Sequence, residues 1–390
     1  MANTLNRRNW IKSSALMAGG LALASGTINK LAAMPVVNKS RLITNFEAER
    51  EIMANAAPGL KARLFFNENP FGPSPAAKKA IIDSLDLSYQ YIFPQIRQLS
   101  SKIAAYEGIQ QNNVMLSAGS SALLEAAALH YCKGGKTVIT GETSYDDLPS
   151  HAVRGGGKWV KVPLTKDYKL DLDAIEAKID DNTGIIYICN PNNPTATVVD
   201  TDKLKAFCER VSKKTMVFVD EAYIDYLPDP KSTTLMANVK AGQNIIVSRT
   251  FSKLYGFAGL RCGYIVAQPE TISALSLYTN ADANLSSATV AAAIAAYQET
   301  DFLKDALAKT LASRDFLYAT LKKEGYDYIP SSANFVMFPL KMDGQKFVGE
   351  MMKRGVGVRN WKMNGTDWCR VSIGRMDEME AFAEAFKQLS

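Results

Sequence analysis

Short apolar runs without polar alternation recur through the middle of the chain. Six runs have this character: Asn113–Ser117, Thr137–Thr140, Ile185–Cys189, Met216–Val219, Ile245–Ser248 and Gly263–Ala267. Strands that are buried on both faces show this pattern, because neither face meets water. Between several runs lie segments with helical spacing, such as Ser121–Tyr131 and Leu204–Val211. The alternation predicts an α/β domain whose mostly parallel sheet is covered by helices, with a ligand site where the strands end.

The pattern changes in the last quarter of the chain. Two helical segments, three strand-like runs and a final helix follow in the order Ala288–Tyr297, Phe302–Glu324, Asn334–Phe338, Gly355–Val358, Arg370–Ile373 and Met376–Leu389. They predict a smaller α+β domain over residues 286–390, beside a large domain over residues 81–285. Residues 41–73 have few strong periodic signals, and we predict that residues 41–80 form an N-terminal arm or part of the small domain.

Charge and cysteine content exclude several classes of protein. The chain has 390 residues and a net charge of +6, but residues 1–40 contain five basic residues and no acidic one. Residues 41–390 contain 40 basic and 39 acidic residues, so the body of the protein is nearly neutral and offers no basic surface for nucleic acid. Five widely spaced cysteines without a CxxC motif, and only two histidines, predict buried thiols and no metal centre.

The first 40 residues have the composition of an export signal. The pair Arg7-Arg8 and Lys12 precede a mildly apolar stretch, Ser13–Ala24. This order is typical of a twin-arginine signal peptide, and the stretch is shorter than the roughly 20 residues that span a bilayer. We therefore expect residues 1–40 to be a signal and linker that the twin-arginine machinery uses to deliver a folded protein to the periplasm. The alternative is an uncleaved basic arm.

The segment Ser248–Tyr264 carries the most specific chemistry. Lys253 follows an apolar strand-like run, and a lysine at the end of a buried strand is placed to form an imine with an aldehyde. Two hydroxyl residues, Thr250 and Ser252, and the guanidinium of Arg261 are suited to a phosphate group. An aldehyde that also carries a phosphate is pyridoxal 5'-phosphate (PLP). The alternative is a surface lysine in a polar loop.

A second segment offers a further place for the phosphate. Ser117–Ser121 lies between a strand-like run and a helix, and backbone N–H groups at a helix start attract anions. Gly119, Ser120 and Ser121 are therefore candidates for phosphate contacts.

Three more motifs follow strand-like runs or lie within them: Asn190–Thr195, Val219–Tyr223 and Trp368–Gly374. Taken singly, Asn-Pro repeats mark turns, a lone Asp is a common helix cap, and arginines form surface ion pairs. Their order along the chain, together with the segment around Lys253, resembles the fold-type I PLP enzymes, and among them the histidinol-phosphate aminotransferase family. The resemblance extends from about Asn67 to the C-terminus. It implies the family's fold, a large domain with a mostly parallel sheet and a smaller α+β domain.

The resemblance implies a role for each cofactor contact. Asp220 pairs with the pyridine nitrogen and makes the ring an electron sink, while Asn193 and Tyr223 bond its phenolic oxygen. Tyr145 stacks on the ring, although a core tyrosine is an equally simple interpretation. Lys253 acts as general base once substrate displaces it, with Asp220 and Tyr223 as further catalytic residues. The predicted cofactor-binding set is Gly119, Ser120, Ser121, Tyr145, Asn193, Asp220, Tyr223, Thr250, Ser252, Lys253 and Arg261.

The same resemblance implies substrate contacts and a partner. Arg370 binds the substrate α-carboxylate through two parallel hydrogen bonds, Asn334 lies near the substrate, and Arg359 contacts the distal end of the substrate. The family is expected to form homodimers in which a tyrosine reaches the neighbouring subunit's cofactor phosphate. Phe93 stands at that position here, and Tyr91 is the candidate replacement.

The combined expectation is an exported PLP-dependent aminotransferase that acts on an L-amino acid and a keto acid. A decarboxylase or an oxygen-dependent amino-acid oxidase on the same scaffold stays open, because the sequence does not show how the substrate's Cα bonds align with the ring. A non-catalytic exported binding protein is the alternative of another class. The presence of Lys253, Asp220 and Arg261 argues against it.

Overall fold

The computed structural model of the protein describes residues 59–389. Its strands are β1 (Ala62–Arg63), β2 (Val114–Ser117), β3 (Thr137–Gly141), β4 (Lys158–Val162), β5 (Thr183–Cys189), β6 (Met216–Asp220), β7 (Ile245–Thr250), β8 (Gly263–Val266), β9 (Phe335–Pro339), β10 (Val356–Gly357), β11 (Arg359–Met363) and β12 (Thr366–Ser372). Its α-helices are α1 (Pro75–Ser84), α2 (Phe93–Glu107), α3 (Ser121–Tyr131), α4 (Asp147–Arg154), α5 (Leu172–Glu176), α6 (Thr201–Val211), α7 (Pro230–Thr233), α8 (Met236–Lys240), α9 (Pro269–Ser276), α10 (Ser287–Ala296), α11 (Thr300–Lys323), α12 (Gly344–Lys353) and α13 (Met376–Lys387).

A seven-stranded sheet forms the centre of the larger core. Its order is β2-β8-β7-β6-β5-β3-β4, and every pairing is parallel except the two that β8 makes with β2 and β7. All six apolar runs predicted as strands lie in this sheet. The predicted α/β architecture with a mostly parallel sheet is therefore confirmed.

Both faces of this sheet are buried, as the unbroken apolar runs predicted. Along β5, Ile186 and Ile188 pack into one apolar cluster, while Ile185 and Tyr187 pack into another on the opposite face. Successive side chains of a strand point to opposite faces, so two separate clusters require cover on both sides. That cover comes from the helices that alternate with the strands.

The one strand of this sheet that the sequence pattern does not predict lies at its edge. β4 pairs only with β3 among the strands described, and both of its lysines, Lys158 and Lys161, are exposed. Charged side chains on an edge strand discourage pairing with other chains. They also interrupt the apolar run that marks the central strands.

A three-stranded antiparallel sheet, ordered β11-β12-β9, forms the centre of a second core with α11, α12 and α13. Two of the three predicted strands, at 334–338 and 370–373, correspond to β9 and β12. The third predicted run, at 355–358, forms β10 and pairs with β1 near the start of the described chain. The third strand of the sheet is instead β11, which the sequence analysis did not identify.

Helix α10 packs with the larger core. It lies against α1 and α2, and Val290 and Ala293 join the cluster on one face of the seven-stranded sheet. Judged by packing, the larger core therefore extends to the end of α10. The predicted domain boundary at residue 286 lies just before this helix. Helix α1, which starts within the predicted arm of residues 41–80, also belongs to the larger core.

All five cysteines are buried and none forms a disulfide, as the sequence predicted. Between residues 59 and 389, no helix is both long and apolar enough to cross a membrane. The predicted twin-arginine segment and its linker, residues 1–40, lie outside the described residues, as does residue 390.

Candidate active site

The carboxyl ends of three neighbouring parallel strands bring the predicted site residues together. In the β5–β6–β7 register, Cys189 lies beside Asp220 and Asp220 lies beside Ser248. The segments that follow these strands carry Asn193, Tyr223 and Lys253, and they open on a cavity of about 510 Å³. Such an edge is where open α/β sheets bind ligands.

Asp220 is a buried carboxylate at the floor of this cavity. Its side chain accepts hydrogen bonds from the Tyr187 hydroxyl at 2.9 Å and from the Ala222 backbone N–H at 3.1 Å. Burial raises the pKa of Asp220 from 3.8 to about 6, and its two hydrogen bonds and the charge of Lys253 oppose that shift only in part. A buried carboxylate that lacks full compensation favours a cationic partner, and a protonated pyridine nitrogen is such a partner.

Lys253 is half-buried and enters the cavity from the turn after β7. Its Nζ atom donates to the Asn67 backbone carbonyl at 3.3 Å and lies 5.2 Å from the centre of the Tyr223 ring. The carbonyl and the aromatic face together hold the amine in the cavity. The structure thus places the predicted lysine and the predicted carboxylate in one cavity.

The groups predicted to hold the phosphate surround the start of α3. Ser120 and Ser121 line the cavity, and Ser120, the N-cap residue, makes no side-chain cap bond to the helix within the described chain. The helix N-terminus is therefore open to an outside anion. Gly119 has φ +85°, and a Cβ there would overlap the Arg261 guanidinium, so only glycine permits this approach.

Arg261 and two hydroxyls complete this cradle. The Arg261 Nη1 atom donates to Ser252 Oγ at 3.3 Å and to the Ala258 carbonyl at 3.1 Å. Thr250 Oγ1 accepts from the Ser252 backbone N–H at 3.1 Å and lines the same cavity. An open helix end, a guanidinium and two hydroxyls fit a phosphate dianion.

Tyr223 and Asn193 are both fixed by neighbours outside their own segments. The Tyr223 hydroxyl accepts from Asn67 Nδ2 at 3.0 Å. Asn193 Oδ1 accepts from Arg370 Nη1 at 2.7 Å. Because its oxygen is engaged by Arg370, Asn193 retains its amide N–H groups for the cavity, which is the orientation that donation to a phenolic oxygen requires.

Arg370 connects the second core to the cavity. It lies on β12, is 2% exposed, and its Nη2 atom donates to the Phe65 carbonyl at 2.8 Å. Its guanidinium also lies 5.4 Å from the Phe335 ring and 5.8 Å from the Trp361 ring. A planar guanidinium held on several sides is preorganised to bind a carboxylate.

Of the predicted site residues, Gly119, Asn334 and Arg359 do not line the cavity. Asn334 donates from Nδ2 to the Asn67 carbonyl at 3.0 Å, so it contacts the backbone that positions Lys253. Arg359 is buried on β11 directly opposite Arg370, with its guanidinium 5.5 Å from the Trp361 ring. Tyr145 lines the cavity and also packs against the apolar cluster of one sheet face.

The segment from Arg63 to Glu68 belongs to the site although its sequence pattern did not predict it. Arg63, Phe66, Asn67 and Glu68 all line the cavity. Asn67 is 1% exposed, has φ +54°, and its backbone N–H donates to Ser372 Oγ at 2.7 Å. The available signal was the Asn-Glu-Asn-Pro sequence, since Asn tolerates the left-handed conformation better than most residues.

Comparisons with known proteins agree with this geometry. Residues 61–386 match the family model for aminotransferase class I and II. A histidinol-phosphate aminotransferase of Moorella thermoacetica is 33% identical over 329 residues, which cover 84% of this chain and 85% of that protein. An aromatic amino acid aminotransferase of Mycolicibacterium vanbaalenii is 38% identical over 321 residues, covering 82% and 90%.

One solved structure that is similar to this chain contains the predicted cofactor. The histidinol-phosphate aminotransferase of Sinorhizobium meliloti, in complex with pyridoxal-5'-phosphate, superposes with a TM-score of 0.81 at 27% identity, covering 92% of this chain and 98% of that one. Together with the family match, this supports the predicted cofactor, PLP. In this protein Lys253, Asp220 and the cradle at the start of α3 are the residues that would hold it.

The burial of Asp220 leads to a prediction about how the stability of the protein depends on pH. Because the pKa of Asp220 is higher in the folded protein than in the unfolded chain, its stabilising contribution is present below pH 4 and is lost as pH rises through 6. Asp220→Asn, whose amide can still bond Tyr187 and Ala222, should therefore stabilise the PLP-free protein at pH 8 by about 1–3 kcal/mol, and by less at pH 5. In the PLP-loaded enzyme the same change should lower kcat by about 100-fold or more.

Urea unfolding at both pH values measures the first effect, and steady-state kinetics measures the second. Asp181→Asn, at an exposed surface carboxylate, is the matched control and should change neither. A variant that is equally destabilised at pH 5 and pH 8 would show that Asp220 is a structural residue.

Proposed function

Because the chain belongs to the class I and II aminotransferase family, we propose that this PLP-dependent aminotransferase moves the amino group of an L-amino acid to a keto acid in the periplasm. When bound, PLP supplies the aldehyde that receives the amino group and the ring that takes up electrons from the substrate Cα. The observation that supports the proposal is the convergence of Lys253, Asp220 and Arg370 on one cavity, although they come from β6, β12 and the turn after β7.

Each of the three residues has a distinct task. Arg370, already fixed by Asn193 and the Phe65 carbonyl, binds the substrate α-carboxylate and so sets the direction of the Cα–H bond. Lys253 Nζ removes the Cα proton as general base and later returns it. Asp220 would supply the negative charge that pairs with the protonated ring nitrogen, and the Tyr187 hydroxyl fixes the orientation of its carboxylate.

Lys253→Ala should abolish this reaction. Without the amine there is neither a covalent attachment of PLP nor a base at Cα, so we expect a loss of about 100-fold or more in kcat. The assay follows keto-acid formation from a panel of L-amino acids, with and without an added keto acid, while carbon dioxide and peroxide are monitored. Borohydride should fix PLP to the wild type but not to the variant.

Lys309→Ala is the control, because that lysine lies on α11 and pairs with Asp305 on the surface. Full turnover by Lys253→Ala would contradict the assignment. Product formation that needs no keto acid and releases carbon dioxide or peroxide would favour the decarboxylase or the oxidase instead.

We also propose that the protein acts as a homodimer. Aminotransferases are typically dimeric. The stretch from α1 to the start of α2 exposes large apolar side chains to solvent, namely Ile82, Leu85, Leu87, Tyr89, Tyr91 and Phe93. A second copy would cover such a run, since monomers rarely expose contiguous apolar surface of this kind. Tyr91, which is 88% exposed and stacks on Phe93, lies on this face and is free to reach a partner's cavity.

Charge introduced into the exposed run should prevent this association. The double variant Leu85→Lys with Leu87→Lys should run as a monomer in size-exclusion chromatography with light scattering, while the wild type runs as a dimer. Met376→Lys places the same charge on an exposed apolar residue of α13 and should leave the dimer intact. A dimer that survives the double change would exclude this face as the interface.

Export rests on residues 1–40 alone. The Arg7-Arg8 pair, the following apolar stretch and the excess of basic residues support recognition by the twin-arginine machinery. A route for folded proteins would also allow PLP to be bound before export.

Arg7→Lys with Arg8→Lys should retain the protein in the cytoplasm, because the charge is kept while the paired guanidinium groups are lost. Cell fractionation with immunoblotting measures the distribution. The control is Lys30→Arg, which alters a basic residue outside the pair. Equal periplasmic amounts of wild type and double variant would rule out the proposed route.

A further inference from the structure

We infer that Glu68 sets the substrate preference of the active site: by neutralising Arg63 at the cavity, it favours amino acids whose side chain ends without a negative charge. The inference rests on the proposed function and deepens it, since it concerns which L-amino acid the cavity accepts. It assigns a specificity-determining role to two residues outside the predicted site.

Arg63 and Glu68 form a two-pronged ion pair in the cavity wall. The Arg63 Nε atom lies 2.9 Å from Glu68 Oε2, and Arg63 Nη2 lies 3.0 Å from Glu68 Oε1. The Arg63 guanidinium carbon is also 5.0 Å from the centre of the Phe66 ring. Their side chains are 47% and 33% exposed, and both line the active-site cavity as well as a smaller cavity beside it.

The remaining charges of the cavity have other tasks. Under the proposed function, Asp220, Lys253 and Arg261 would contact the cofactor, and Arg370 would bind the α-carboxylate. Among the described residues that line the cavity, Arg63 and Glu68 are the charged pair left over. Their charges cancel, and Phe66 beside them is an aromatic surface. The far end of a substrate therefore meets an uncharged, partly aromatic wall.

A distal carboxylate is disfavoured here for a simple electrostatic reason. The fork of Arg63 that would receive it is occupied by Glu68, and a second carboxylate beside Glu68 is repelled. An aromatic or aliphatic side chain does not meet this repulsion, since it can pack on Phe66 and on the flat face of the guanidinium. An exposed ion pair contributes little stability by itself, so a neutral residue at position 68 should be tolerated by the fold.

Glu68→Gln is the decisive variant because it keeps the size of the side chain and removes its charge. We expect kcat/KM for L-glutamate relative to L-phenylalanine, as amino donors, to rise about tenfold. The inert analogue glutarate should bind the PLP-loaded variant about tenfold more tightly in calorimetry, while the affinity for 3-phenylpropanoate stays within about twofold. The double variant Arg63→Gln with Glu68→Gln should show neither the higher glutamate-to-phenylalanine ratio nor the tighter binding of glutarate.

Two further variants keep the test informative. Arg63→Gln alone leaves an unpaired carboxylate, so it should weaken glutarate binding below that of the wild type, and this outcome is measurable even if Glu68→Gln does not fold. Glu176→Gln breaks a surface ion pair with Arg210 whose side chains are of similar exposure, 24% for Glu176 and 53% for Arg210. It should change neither the glutamate-to-phenylalanine ratio nor the affinity for glutarate.

An unchanged glutamate-to-phenylalanine ratio and unchanged glutarate affinity in Glu68→Gln would overturn the inference. So would tighter glutarate binding in Arg63→Gln. If the wild type transfers no amino group from any amino acid, the proposed function fails, and the glutarate measurements still decide the role of Glu68. If the wild type transfers amino groups but Glu68→Gln behaves as wild type, the inference alone fails.

Discussion

The burial of one carboxylate, that of Asp220, is the constraint on which the rest of the site depends. Parallel strands buried on both faces must end at a common edge, and this edge places Asp220 beside a cavity, where Tyr187, a backbone N–H and the charge of Lys253 stabilise its charge only in part. A lone ionised carboxylate is costly in such a place. The fold therefore retains a buried charge that is unfavourable by itself and that a cationic ring bound in the cavity would stabilise.

The sequence predicted those parts of the fold that have a local pattern. The central strands could be found because burial on both faces removes polar alternation, and Lys253 could be found because it follows one of those strands. Asp220 and Asn193 were identified by the resemblance, since each motif taken singly also fits a helix cap or a turn. The edge strand β4 and the amphipathic strand β11 lack that pattern. The segment from Arg63 to Glu68 was missed for a different reason: its contacts lie 156–305 residues away, at Tyr223 and Ser372, and no local periodicity reports contacts at that separation.

Two residues predicted as substrate contacts lie one layer further out. Asn334 bonds the backbone that receives Lys253 Nζ, and Arg359 lies beside Arg370 across the antiparallel pair, with Trp361 close to both guanidinium groups. A resemblance carried by motifs identifies which side chains belong near a site. It does not separate those that face the cavity from those that support them, because that difference depends on packing between the two sheets.

Asn67 bonds to groups from four separate parts of the chain, those of Tyr223, Lys253, Asn334 and Ser372. The charged pair at positions 63 and 68 flanks this same short peptide. The two flanking side chains are partly exposed, so they can be exchanged without removing the buried contacts of the asparagine between them. A change at the asparagine itself would misplace the lysine. Within six consecutive residues, the chain thus combines two adaptable surface positions with one buried residue that joins distant parts of the fold.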